Sequence, residues 1–282
     1  MVSLPEGLQQ IDLHLHAGQE RDQDLSDLVE SFVTHGIDFL GLLDHSELYE
    51  MGDERLRKKM GQLVYSSSPA GLRDFYRDID RMKTRYEGRA HIFKGLELPE
   101  WEILAANRDI VAMADFVGCH LNTSCHDPSY RHYERTTCGE HLTRRAEQLI
   151  EVCQPHSVPP VLLHPFHRRM QELRAKAGND GSLGPDDQVF TREDLETFAN
   201  SVDPRQIYFE LNFGDIYAAA SHPDVTARLR DTCRLLKDIG ASFSLGSDYH
   251  RTPAKFLDPT QILSDLGIEL EDIGLIRRLA SC

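Results

Sequence analysis

The sequence predicts an α/β fold built on a parallel sheet, and three observations predict it. Seven short apolar runs alternate with longer stretches of helical periodicity along the 282 residues. Each run ends in a residue able to ligate a metal or move a proton. No Pro/Ser/Gly-rich linker or internal repeat interrupts the alternation, so residues 1–282 read as one domain. Repeated strand–helix units lay consecutive strands side by side and parallel, either in an open doubly wound layer or in a closed barrel.

In chain order the strand candidates are QIDLHLH (10–16), IDFLGLLDH (37–45), HIFKGLEL (91–98) and ADFVGCHL (114–121), then VPPVLLHP (158–165), QIYFELN (206–212) and ASFSLGSDYH (241–250). Between them, residues 25–36 place Leu25, Leu28, Val29 and Phe32 on one helical face and stop at Gly36. Residues 71–88 space Leu72, Phe75, Ile79 and Met82 in the same way and stop at Gly88. In residues 225–240, Leu229, Cys233 and Leu236 are the apolar positions and Gly240 is the stop. The stretches 46–69, 122–138 and 166–190 do not fit the alternation and read as loops with some local helix. Each follows the C-terminal end of a strand, where a parallel α/β protein builds its site.

Composition narrows the function. Acidic residues outnumber basic ones 46 to 31, a formal net charge of −15. A surface of that sign argues against nucleic acid and anionic membrane as partners, but not against a small anionic substrate, because a metal inverts the local field. Six cysteines are too few for a disulfide scaffold. The opening MVSLPEGLQQ lacks the basic and apolar regions of a secretory signal, and no apolar run is long enough to span a membrane. A reduced, soluble, cytoplasmic protein is expected; oligomeric state is not addressed. The group Cys119, Cys125, His126, His132, Cys138 and His141 matches no common zinc spacing.

Fourteen histidines are present, and many of them fall at strand ends. The polar residues there are His14 and His16, Asp44 and His45, Glu97, His120, His164, Glu210 and Asn212, and Asp248 and His250. Alternation along a strand turns Asp12, His14 and His16 to one face, and likewise Asp248 and His250. Imidazole nitrogens mixed with carboxylate oxygens suit Zn, Mn or Fe, and thiolates are absent from these positions.

In this order the motifs Asp12-x-His14-x-His16, Asp44-His45, Gly95-x-Glu97, His120, His164-Pro165, Glu210-x-Asn212 and Ser247-Asp248-x-His250 resemble the PHP family, named for its polymerase and histidinol phosphatase members. The resemblance runs from residue 10 to residue 250, and residues 75–102 look like part of bacterial histidinol-phosphate phosphatases. It implies a distorted, TIM-like seven-stranded (β/α) barrel and two to three divalent ions, Mn, Fe or Zn. His14, His16, Glu97 and Asp248 would hold the first. Glu97 would bridge to a second completed by His120 and His164. His45 and His250 would hold a third with one more ligand from the loop after the first strand, where Asp22 is chosen over Asp24. Tyr249 occupies a position that is often small in the family, so its ring must turn away from the metals or narrow the mouth.

The expected reaction is hydrolysis of a small phosphomonoester, with in-line attack on phosphorus by a hydroxide bridging two ions. Histidinol phosphate or a related sugar or nucleotide phosphate is the expected substrate class. Three dications less Glu97, Asp248, Asp22 and the hydroxide leave about +2, a match for a dianionic phosphate. Glu97 and Asp248 are the expected catalytic carboxylates, and Asp12 and Glu210 would orient ligands. Arg168 is the candidate phosphate clamp, because guanidinium meets phosphate bidentately; Arg21 and Arg251 are rivals. His167 is a further candidate as leaving-group acid. Two other readings compete: an amidohydrolase-type hydrolase of an amide or lactone, and a non-catalytic metal-stabilised scaffold. Glu97 and the Asp248-x-His250 ending argue against the first, and retention of the ligand set argues against the second.

Overall fold

The computed structural model describes residues 4–18, 24–46, 65, 68–121, 138–180, 183–250, 252–253 and 255–281. Its strands are β1 (Ile11–His16), β2 (Phe39–Leu43), β3 (His91–Leu98), β4 (Phe116–His120), β5 (Pro160–Leu163), β6 (Tyr208–Asn212) and β7 (Ser242–Gly246). All neighbours pair in parallel, in the order of the sequence. The sheet then returns on itself. The Asp248 amide donates to the His14 carbonyl at 2.8 Å, and the His16 amide donates to the Tyr249 carbonyl at 3.0 Å. This seam decides between the two layouts left open by the sequence, in favour of a nearly closed, TIM-like seven-stranded barrel.

Such strands are covered on both sides, by helices outside and side chains inside, and every residue of β1 and β2 is buried. The helices that matter for the site are α1 (Leu25–Thr34), α2 (Pro69–Arg85), α3 (Cys138–Cys153), α4 (His167–Asp180), α5 (Phe213–Ala220) and α6 (Pro223–Asp238). Leu25, Leu28, Val29 and Phe32 of α1 face the sheet, as their spacing predicts, and the Asp24 carboxylate caps the helix by accepting from the Ser26 amide. On α2 the buried set is Leu72, Phe75, Tyr76 and Ile79, started by the Ser68 cap and Pro69. The expected stops Gly36, Gly88 and Gly240 all sit at positive φ.

Two features finer than the sequence reading shape the site. Residues 167–180 form helix α4, so the local helix expected within 166–190 takes up about half of that stretch. Among the described residues only Met170 and Leu173 are fully buried along it, with Ala177 packed at the edge, so its apolar stripe is too thin to register as a period. The stretches 47–64 and 122–137 lie outside the described residues. The second feature is a bulge in β1. Asp12 pairs with Leu40 and Leu15 with Leu42, so Leu13 and His14 together oppose Gly41. A Cβ on Gly41 would stand 2.3 Å from the Leu13 carbonyl oxygen, so only glycine admits the bulged backbone.

Cys138 is disulfide-bonded, where a fully reduced chain is expected from the sequence. Cys119, Cys153 and Cys233 are free and buried. Among the described residues no helix is long and apolar enough to cross a membrane.

Candidate metal centre

The strand-end histidines and carboxylates meet at the C-terminal mouth of the barrel, while Asn212 caps α5 by accepting from the Asp215 amide. His14 and His16 leave β1 with their Nε2 atoms 3.2 Å apart. Glu97, near the end of β3, is fully buried beside them, and its Oε2 lies 3.3 Å from each of the two nitrogens. Asp248, just past β7, brings Oδ1 to 3.5 Å from His14 Nε2 and 2.9 Å from His16 Nε2.

These distances test whether a metal fits. Four ligand atoms about 2.1 Å from one tetrahedral ion stand about 3.4 Å from one another. Five of the six separations among the ligand atoms of His14, His16, Glu97 and Asp248, all those that include a histidine, run from 2.9 to 3.5 Å. Neither oxygen of Glu97 makes a hydrogen bond, although both are buried. A buried carboxylate needs positive charge set against it, which either a divalent ion or protonated imidazoles supply. The donor set and its spacing therefore fit a divalent ion.

The second oxygen of Glu97 serves a different group. Oε1 is 3.4 Å from His120 Nδ1, and Glu97, His120 and His164 form a second compact set of potential ligands. This set shares no residue with the trio His14, His16 and Asp248. Glu97 thus turns Oε2 to His14 and His16 and Oε1 to His120. His45 approaches Oε1 as well, at 3.7 Å, and groups with His16 and Glu97. The His250 ring stacks on His16 at 4.2 Å, and its Nε2 is 3.5 Å from Asp248 Oδ1. His45 and His250 are therefore both at the cluster; Asp22, the expected third partner, lies outside the described residues. Asp24, its rival, caps α1.

Burial divides the centre into floor and rim. His14, His16, Glu97 and Glu210 are buried to 1% exposure or less, whereas the side chains of His120 and His250 are nearly half exposed. The floor would expel water from around an ion, and the rim leaves one side open to a ligand.

Charge is strongly redistributed within the cluster. Burial alone would raise the Glu97 carboxyl, but the imidazoles of His45, His120, His14 and His16 outweigh it and hold the group well below the usual range. Asp248 behaves alike: burial raises it, and contacts with His16 and His250, with the charges of His14 and His164, bring it far down. Burial would lower His14, yet Glu210 first, then Glu97 and Asp248, push it up to about 10. His16 is raised well above its ordinary value despite burial, by Asp248, Asp44 and Glu97. Burial dominates at His164 and lowers it, and at Asp12, where it raises the carboxyl to about 7.

Several residues hold the ligands in place. Glu210 Oε1 meets His14 Nδ1 at 2.6 Å, which leaves Nε2 of that ring facing the ligand set. Asp44 Oδ1 approaches the second ring more loosely, 3.6 Å from His16 Nδ1, an electrostatic contact rather than a hydrogen bond. The tool for finding Asp44 was present in the sequence as the Asp44-His45 pair. Asp215 had no such signal: it sits on α5 and holds His167 Nδ1 at 2.6 Å. That contact, ahead of burial, raises His167. Gln171 faces the other ring nitrogen of His167 at 2.7 Å. Arg168 lies on α4 with Nε 3.4 Å from Glu172 Oε1. Arg21 and Arg251 lie outside the described residues. The Tyr249 ring turns toward Phe32 on α1, 6.4 Å between centroids, and so away from the metal ligands.

No family model matches the chain, and no curated protein matches it. Solved structures do. One, from Listeria monocytogenes and described as the "putative histidinol phosphatase hisK", superposes with a TM-score of 0.52 at 15% identity, over 85% of this chain and 94% of that one. The two share a fold. A "probable 2-pyrone-4,6-dicarboxylic acid hydrolase" from Acinetobacter baumannii gives 0.43 at 12% identity, over 96% of each chain. A xylose isomerase domain protein from Alicyclobacillus acidocaldarius gives 0.40 at 16% identity, over 96% of this chain and 99% of that one.

Proposed function

We propose that this chain is a metal-dependent phosphoric monoester hydrolase of the PHP type, acting on a small anionic phosphorylated substrate. The observation that supports this most is the Glu97 carboxylate, buried without a hydrogen bond and spaced from four imidazoles at 3.3–3.7 Å. His14, His16, Asp248 and Glu97 Oε2 would hold one ion, and Glu97 Oε1, His120 and His164 a second. His45 and His250, joined by Asp22, would hold a third. Ions of Mn, Fe or Zn would supply positive charge against phosphate oxygens and an acidified water at neutral pH.

The chain's own residues do the rest. Glu97 and Asp248 fix the spacing between the two ligand groups, each offering a separate oxygen to either side: Asp248 Oδ2 is 3.7 Å from His164 Nε2, while Oδ1 faces His16. The buried floor excludes water, and the exposed rim of His120 and His250 receives the phosphate. Arg168 reaches the phosphate from α4 by exchanging its partly exposed pairing with Glu172, a weak contact, for a bidentate one. The active form is a soluble protein whose substrate is a histidinol phosphate or a related sugar or nucleotide phosphate.

Elemental analysis of the purified protein is expected to find two to three equivalents of metal. Turnover is then measured on a panel of phosphomonoesters, amides and lactones. Hydrolysis confined to phosphomonoesters supports the reading. Hydrolysis of an amide or lactone with none of any phosphomonoester would replace it, and a metal content near zero would remove its basis.

A further inference from the structure

We propose that Asp12 and Glu210 act as two carboxylate clamps that meet at His14, fix the backbone of the ligands His164 and Asp248, and so form the metal site before an ion arrives. The inference rests on the metal-site reading above and not on the reaction assigned to it.

The starting point is two unusual backbone conformations. His164 has φ 50° and Asp248 has φ 58°, both in the left-handed region that side chains with a Cβ seldom enter. His164 follows directly on β5 and Asp248 lies two residues past β7, and both are potential ligands in opposite halves of the centre. Something must hold each turn in place, and in each case it is a buried carboxylate from another strand. Glu210 on β6 accepts from the His164 amide through Oε2 at 2.9 Å. Asp12 on β1 accepts from the amide of Ser247, the residue before Asp248, through Oδ1 at 2.9 Å. The Asp248 amide itself donates to the His14 carbonyl at 2.8 Å.

The two clamps share one post. The other oxygen of Glu210 holds His14 Nδ1 at 2.6 Å, and the same Oδ1 of Asp12 also accepts from the His14 amide at 3.2 Å. One carboxylate thus ties the His14 ring to the turn after β5, and the other ties the His14 backbone to the turn after β7. The bulge at Leu13 and His14 is where the strand bends to make both contacts. Each of these bonds runs between protein atoms, so the placement that the proposal assigns to the clamps needs no ion.

The clamps differ chemically, and this makes the proposal testable. Asp12 uses a single oxygen for both amides, so an asparagine carbonyl can replace it. Glu210 uses both oxygens, each toward an N–H. A glutamine there must turn its NH2 toward the His164 amide, donor against donor, or toward His14 Nδ1. The second choice forces the imidazole proton onto Nε2, the atom that must ligate.

The metal-free full-length chain is titrated with Co²⁺, and the visible absorption of the bound ion is followed for wild type, Glu210→Gln, Asp12→Asn and Asp12→Ala. Glu210→Gln is expected to weaken binding by about 10- to 100-fold, in the range of lost ligand-orienting contacts, and to alter the absorption band. Asp12→Asn is expected to stay within about threefold of wild type, whereas Asp12→Ala falls by about 10- to 100-fold. If Asp12→Ala does not fold, the contrast between Asp12→Asn and Glu210→Gln decides alone. Equal effects of those two, or no effect of either, would overturn the clamps while leaving a wild type that binds Co²⁺ as a metal protein. A wild type that binds no Co²⁺ would overturn the metal site itself.

Discussion

Gly246, the last residue of β7, faces the most crowded point of the centre. A Cβ built there would stand 2.3 Å from His14 Cβ and 2.5 Å from Glu210 Oε1. Ordinary contact begins at 3.4 Å, so a Gly246→Ala chain must open the space by about 1 Å. His14 cannot yield without moving β1, because its amide is only 3.2 Å from the same Cβ. Glu210 cannot yield without releasing His14 Nδ1. The ligand separations around His14 Nε2 span only 3.2 to 3.5 Å, so a shift of that size takes the ring out of its place. Gly118 on β4 is the control. Its Cβ would be just as close, 2.3 Å, but to Leu163 Cδ1, the far end of a side chain that can change rotamer. Overpacking costs about 1–3 kcal/mol in either variant. Only Gly246→Ala should also lose metal, by at least about tenfold in affinity. Urea unfolding measures the first quantity and metal competition the second. If both variants lose stability and Gly246→Ala binds metal as well as Gly118→Ala, His14 is not the ligand that its surroundings indicate.

Two further outcomes follow from protonation. In the metal-free protein His14 is pushed up to about 10, and His16 also lies well above its ordinary value. The folded state therefore keeps protons that the unfolded chain loses near 6.5. Their stabilisation is complete below that pH; the part from His14 is lost as pH rises through about 10, and the part from His16 is lost above its ordinary range. At pH 8, an ion that takes both rings must displace the proton on His14 and any that His16 still holds, and its affinity should rise with pH up to about 10. Calorimetric titration in buffers of different ionisation enthalpy reads the number; a heat that does not depend on buffer would contradict it. The thiols offer a separate check. Burial pushes Cys153 and Cys233 up to about 12 and raises Cys119 well above its ordinary value. All three should resist a thiol reagent at pH 8 in the native protein and react in guanidinium; rapid native labelling of Cys233 would show that α6 does not seal it.

The strands and the ligands were legible for the same reason. A barrel strand buried on both faces must be apolar, so a His, Asp or Glu at its end stands out against it, and seven such ends mark one rim. Glu97 and Asp248 emerged in this way, as did His14, His16, His120 and His164. What the sequence could not show is how the backbone aims them. The bulge opposite Gly41 shifts the alternation between Asp12 and His14, so the carboxylate of Asp12 goes to two amides. The seventh strand stops at Gly246, short of the expected 250, because Asp248 turns left-handed. Asp215 was missed because its only signal is contact with His167 on a different helix, 48 positions away. The extent of helix α4 within a stretch read as loop with some local helix is not legible, because an exposed helix with two fully buried apolar residues has little period to read.

The acidity of the chain takes on a different meaning at this centre. Glu97, Glu210 and Asp248 are drawn down into their charged forms, so the metal-free cluster keeps three negative groups and offsets two of them with protons on His14 and His16. Two protons carry the charge of one divalent ion. Exchanging them for the first ion leaves the net charge of the floor unchanged, and the ligand arrangement has no electrostatic reason to open when it is empty. Only further ions make the mouth positive. In a protein of net charge −15, attraction for a dianionic substrate then depends on how many ions are bound beyond the first. Substrate affinity should accordingly follow metal occupancy more steeply than the stability of the fold does.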